Sequence, residues 1–277
     1  MKIKIVADSA ANVRTLPGVE FSCVPLKIIT SQTEYVDDEN LNVEAMVEAL
    51  QQTKGKSGTS CPNVYDWLQA FGDADRVFAV TITSNLSGSY AAAMQAKAQY
   101  EEEHPNARVC VIDTLSAGPE MRLIVEKLKQ WILERLPFEE ITRIIRDYTR
   151  KTHLLFSLES LTNLARNGRV SPAVAKIAGV LGIRVVGAAS AEGTLQQLHK
   201  CRGEKKTLDV LFEEMKARGF AGGKARIAHC FNLEAATQLK GKILALFPKS
   251  DVQIEPTAAL CSFYAEQGGL MVGFEAL

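Results

Sequence analysis

The densest run of polar side chains in these 277 residues is Thr81-Ile82-Thr83-Ser84-Asn85-Leu86-Ser87-Gly88-Ser89-Tyr90, where an apolar strand hands over to a helix. Hydroxyls and free amides at a helix N-terminus hold an anion without any cation, because the first backbone N–H groups have no partner inside the helix. The same residues also read as a simple cap, with Ser87 opening an Ala-rich helix that runs to about Tyr100. A second hydroxyl run, Gly58-Thr59-Ser60-Cys61-Pro62, precedes a helix containing Trp67; on its own it reads as a cap with Pro in the first turn. Arg166, Arg169 and Arg202 stand in glycine-adjacent loops, where a guanidinium pairs with carboxylate or phosphate in two-pronged geometry, although most exposed arginines have no such duty. Arg169 is the best placed of the three, in a turn between two helices.

Rival chemistries find less support. A serine hydrolase or transferase would use Ser84 or Ser87 as nucleophile, yet there is no G-x-S-x-G elbow, and His104, His153, His199 and His229 fall in surface or strand settings. Asp8, Asp37, Asp38 and Asp113 are candidates for a metal or acid/base cluster, or for ordinary turn caps. Six scattered cysteines show no C-x-x-C pair and no zinc spacing to histidine, so no metal is expected. They read as small buried residues of a reducing compartment, except Cys61, which is flanked by Pro62 and a hydroxyl pair. Neither a Walker A loop nor a G-x-G-x-x-G fingerprint is present, so the pattern is no nucleotide site.

The elements that must position these groups change in character along the chain. Ile3 to Ala7, Val77 to Val80 and Val109 to Ile112 are short apolar runs of the kind buried parallel strands show. Between them, Val43, Met46, Val47 and Leu50 repeat at helical spacing, as do Val64, Trp67, Leu68 and Phe71. Past residue 150, a short helix ends at Asn167-Gly168 and Ser171-Pro172 reads as the start of another. Strands Ile183 to Ala188 and Leu195 to Lys200 meet through a turn at Glu192-Gly193. Further helices run from Lys205 to Arg218 and from Glu234 to Leu246, around a strand from Ala225 to Cys230. The pieces Val252 to Ile254, Ala258 to Cys261 and Leu270 to Phe274 read as strands. The expected fold is α/β with two domains: a doubly wound parallel sheet over residues 1–152, and an α+β domain with a mixed sheet over 153–277. The ligand belongs at their interface.

Composition excludes several classes. The 32 basic and 32 acidic side chains cancel, leaving no global field to gather nucleic acid. The apolar stretch Ile177 to Ala191 is broken by Arg184 and three glycines, which falls short of a membrane span. The opening Met-Lys-Ile-Lys-Ile-Val-Ala-Asp is no signal peptide, and a cytoplasmic location is expected.

In order along the chain, Asp8-Ser9, Thr59-Ser60-Cys61-Pro62, Thr83 to Tyr90, Val111-Ile112-Asp113-Thr114, Asn167-Gly168-Arg169-Val170-Ser171 and Arg202-Gly203 together resemble the DegV family of bacterial fatty-acid-binding proteins. The resemblance implies a non-enzymatic carrier without a cofactor, holding one long-chain fatty acid with its tail in an apolar tunnel. It assigns the carboxylate to Thr59 and Ser84, with Ser87 and Gly88 shaping the adjoining helix start. Arg169 and Arg202 would lie toward the surface that docks a fatty acid kinase, the partner that phosphorylates the carboxylate.

Two positions depart from the family pattern. Cys61 replaces a glutamine, and the histidine of the family's C-terminal Gly-Thr-His-Thr-Gly-Pro-Gly stretch is Tyr264 here, with Glu266 beside it. A phenol donates one hydrogen bond but does not become cationic near neutral pH. The same fold holding a different lipid or amphiphile therefore stands as an alternative.

Overall fold

The computed structural model describes residues 2–52, 55–171 and 182–276. Strands β1 (Ile3–Asp8), β2 (Glu20–Val24), β6 (Arg76–Thr81) and β7 (Arg108–Asp113) form a wholly parallel sheet in the order β2-β1-β6-β7. Side chains alternate across it. Ile5, Ala7, Phe78 and Val80 enter one core with α4 (Pro119–Leu133) and α5 (Phe138–Thr149). Val6, Val77 and Ala79 enter another with α2 (Val64–Phe71) and α3 (Ser89–Glu103). Apolar residues on both faces of a strand are what helices on both sides of a parallel sheet require. In α4 the buried Met121, Ile124, Val125 and Leu128 recur at helical spacing on the side turned to the sheet.

A small antiparallel sheet, β4-β3-β5, is built from Glu34–Val36, Lys27–Thr30 and Ser57–Ser60 respectively, and α1 (Val43–Gln52) packs near it. Thr59 and Ser60 thus belong to a strand, in register with Ile28 and Lys27, rather than to a helix cap. The cap of α2 is Asn63, whose side chain accepts from the Asp66 amide while Asp66 accepts from the Asn63 amide.

The second large sheet has the order β10-β9-β8-β13-β11-β12, from β8 (Thr152–Leu158), β9 (Ile183–Ala189), β10 (Leu195–Arg202), β11 (Lys224–His229), β12 (Asp251–Pro256) and β13 (Leu270–Glu275). Only β11 and β12 run parallel, so the sheet is mixed, as expected. One face is covered by α7 (Glu204–Ala217) and α8 (Leu233–Leu246), which bury Leu155, Val272 and Phe274. The other face meets the parallel-sheet unit. A side chain at Gly273 on β13 would come within 2.4 Å of the Pro119 and Glu120 backbone, so glycine there admits the start of α4. Glu120, buried at this join, accepts from Ser116 and, at 2.8 Å, from Thr152 Oγ1 at the start of β8.

Three further expectations need correction. Residues Ala258 to Cys261 are not a strand: α9 (Ala259–Ala265) forms there, because the Asp37 carboxylate accepts from the Ala259 and Leu260 amides at 2.9 and 3.1 Å. Gly88, not Ser87, occupies the N-cap position of α3. Ser87 Oγ instead accepts from the Ser89 amide at 3.3 Å. Arg202 sits at the end of β10, paired across the sheet with Ile183, rather than in a loop. The helix read to start at Ser171-Pro172 lies, from Pro172 on, outside the described residues, as do the first residues of the run from Ile177.

Candidate functional site

Asp8 ends β1 fully buried and accepts from the Ala10 amide, the Ile82 amide at 2.9 Å and Ser89 Oγ at 2.6 Å. It thereby clamps the loop between β6 and α3 to the carboxyl end of the sheet. Burial pushes its carboxyl up to about 7, with the three hydrogen bonds opposing the rise. Asp113, at the end of β7, accepts from the amides of Ser84 and Leu115. Asp38 closes a turn at Asn40. These carboxylates organise loops, and among the described residues no group of three His, Cys, Asp or Glu side chains is arranged to hold a metal ion.

Asp37 has a larger task. Besides capping α9, it pairs with Arg14, and it lies directly after β4 in the small sheet that carries Thr59. Asn12, in left-handed backbone (φ +61°), donates to Pro256 O at 2.9 Å and accepts from the Ala258 amide. At the other end of α9, Asn163 on α6 (Thr162–Arg166) donates to Phe263 O at 2.8 Å, and its amide donates to Glu266. Asn167 donates to Ser57 O in β5. Two asparagines four residues apart thus stitch β5 to α9.

This frame brings Thr59 and Tyr264 together: Thr59 Oγ1 and the Tyr264 hydroxyl are 2.7 Å apart. Burial raises the Tyr264 phenol above its ordinary value, with the Thr59 hydrogen bond and the Arg169 charge opposing the shift. Arg169 spans the space beside them, donating to Leu86 O at 3.1 Å and to Asn167 O, with its guanidinium 5.9 Å from the Tyr264 ring centroid. Both carbonyls hold the cation in place.

Behind this group lies a narrow cavity of about 70 Å³ between the two large sheets. Leu154, Phe156 and Leu158, alternate residues of β8, form one wall, while Ile82, Leu86 and Leu260 come from the opposite side. Apart from Arg169 and Tyr264 at its edge, the lining is hydrocarbon and sulfur.

The residues expected at the site divide. Thr59, Tyr264 and Arg169 converge. Gly88 abuts Cys61, where an added Cβ would lie 3.1 Å from Sγ, so the Ser87-Gly88 turn borders the loop that follows Thr59. Ser84 is exposed and does not line the cavity; nor does Arg202, also exposed. The histidines are engaged elsewhere: His104 with Tyr100, His199 with Glu214, His229 with Asn232, and His153 against Phe274. Among the described residues no serine–histidine pair supports a hydrolase. Asn163 escapes sequence reading, and Asn167 is legible there only as a helix end and a motif residue, although their i, i+4 spacing on a short helix ending in glycine is the signal of their shared task.

No helix among the described residues is long and apolar enough to cross a membrane. A family profile described as "Uncharacterised protein, DegV family" matches residues 2–276. A DegV domain-containing protein of Streptococcus pneumoniae (strain ATCC BAA-255 / R6) is 44% identical over 279 residues, covering 99% of both chains. Two crystal structures superpose with a TM-score of 0.98. One is a DegV family protein from Eubacterium eligens loaded with heptadecanoic acid, at 47% identity over 99% of this chain and 100% of that one. The other is the Streptococcus pneumoniae Fatty Acid Kinase (Fak) B3 protein loaded with linoleic acid, at 43% identity over 100% of both. With its sequence matched from end to end and its two-sheet architecture shared, the chain belongs to the DegV family.

Proposed function

We propose that this protein binds a long-chain fatty acid and presents its carboxylate to a fatty acid kinase, which transfers the phosphate. Residues 1–152 and 153–277 form the two domains between which the tail lies, and the carrier works in the cytoplasm. The observation that carries the reading is the Thr59–Tyr264 hydroxyl pair at the edge of an apolar cavity. The fatty acids held by two relatives of the same architecture support it.

A carboxylate that accepts from neutral hydroxyls keeps its charge available to an incoming phosphoryl group, whereas a bidentate arginine would mask it. Arg169 donates from Nε and Nη1 to two main-chain carbonyls, which fix its guanidinium beside the hydroxyl pair. The tail supplies the affinity, at roughly 0.8 kcal/mol per buried methylene, and the head group sets direction. Exposed Ser84, with Ser87 and Gly88 behind it, borders the face open to a partner, and Arg202 belongs to the same docking role. No cofactor is required of the carrier.

Native mass spectrometry of the purified protein, followed by organic extraction, tests this reading. One fatty acid per chain is the expected result. A protein that is empty and also refuses added fatty acids overturns it, and leaves a different amphiphile as the ligand.

A further inference from the structure

The inter-sheet cavity is too small for the ligand proposed above. At about 70 Å³ it is far smaller than a long hydrocarbon tail needs. A tail must continue past one of its walls.

One wall has space behind it. A second cavity of about 260 Å³, bounded by Leu161, Val170, Val185 and Gln197, shares three lining residues with the first: Phe156, Leu195 and Arg169. Arg169 is bonded to two carbonyls, and Leu195 is held in the β9–β10 ladder opposite Ala189. Phe156 is different. Its ring folds across its cross-strand neighbour Gly187, so closely that a Cβ there would lie 2.3 Å from Cζ. A glycine in a strand interior marks close approach of another group. Here it lets the ring lie down along the sheet instead of standing in the first cavity.

Resting on the fatty-acid reading, we infer that Phe156 is the length-determining residue of the acyl site. Its ring over Gly187 is the partition between the two cavities, and the second cavity receives the end of the tail. Longer acids must displace the ring, so its size sets the preferred length. Removing it joins the two spaces.

The test is competition, by native mass spectrometry, among an equimolar series of saturated fatty acids of increasing length. The full chain, Phe156→Leu and Phe156→Ala are compared. The ranking is expected to move toward longer acids, further for alanine than for leucine, by about fourfold for each additional methylene that finds cover. Phe156→Leu keeps a comparable apolar volume in the strand and serves if the alanine variant does not fold. An unchanged ranking in a variant that binds overturns this inference and leaves the fatty-acid reading standing. Refusal of every acid by the unmodified protein overturns that reading, and this inference with it.

Discussion

The Tyr264 hydroxyl and Thr59 Oγ1 lie 2.7 Å apart although 205 residues separate them in the chain. Each is half-buried, and each has a frame of its own: β5 for Thr59, a capped helix for Tyr264. If both serve one carboxylate, Tyr264→Phe and Thr59→Ala each weaken fatty-acid binding by about 1 to 3 kcal/mol, the cost of leaving a charged acceptor underserved. In a double-mutant cycle their effects are not additive. Calorimetric titration with a fatty acid and with the matching alcohol reads this directly. Equal losses for acid and alcohol would assign the pair to packing instead.

Ser84 offers the contrast. Because its side chain is exposed and outside the cavity lining, Ser84→Ala is expected to change fatty-acid affinity by less than about 0.5 kcal/mol, the ordinary range for a surface substitution. A loss as large as that of Thr59→Ala, in the same titration, would move the head group toward the loop between β6 and α3.

Asp37 is completely buried and holds Arg14 and two amides of α9 at once. Removing one partner of a buried ion pair costs about 3 to 5 kcal/mol, because the other charge is left unpaired. Asp37→Ala is therefore expected to lower the unfolding free energy by that amount in urea. Asp37→Asn, which keeps one acceptor, loses less. An alanine variant as stable as the parent would show that α9 needs no such anchor.

Glu120, buried where α4 meets β8, has its carboxyl pushed up to about 7 by burial, against hydrogen bonds from Ser116 and Thr152. Asp8 is shifted the same way, also to about 7. With folded values above the unfolded ones near 4, the native state binds more protons than the unfolded chain between about pH 4 and 7. Stability from these two groups is therefore full below pH 4 and falls as pH rises to 7, by up to about 1.4 kcal/mol per pH unit for each. Glu120→Gln should flatten the denaturation profile between pH 5 and 7 relative to the parent. Parallel profiles would mean that Glu120 titrates at an ordinary value in the folded protein.

How much of this was legible before folding depends on whether the signal was local. The continuous apolar runs of β1, β6 and β7 mark a buried parallel sheet wherever they occur, and the β9–β10 hairpin carries its own turn at Glu192-Gly193. The small sheet leaves little trace: β4 has three residues, and β5 reads Ser57-Gly58-Thr59-Ser60 without one apolar side chain. Its strands exist because β3 pairs with both. The stretch after Pro256 reads as a strand for a related reason. The cap that makes α9 a helix is Asp37, 222 residues away from Ala259, so no window of neighbours contains it. Motif resemblance names Thr59, Tyr264 and Arg169, which the structure brings side by side. It includes Asn167 without its task and omits Asn163, and the work of both is to hold other residues' carbonyls.

The anchoring of α9 also fixes when the site comes into being. Asn12, Asp37 and Thr59 leave the ribosome long before Ala258, Ala259 and Tyr264, which bond to them. Chains fold from their N-terminal parts as they are made. The parallel sheet can be complete while the Asp37 carboxylate still awaits its amides. A nascent chain thus carries half of the proposed head-group site for most of its synthesis, and gains the other half within the few residues that build one short helix.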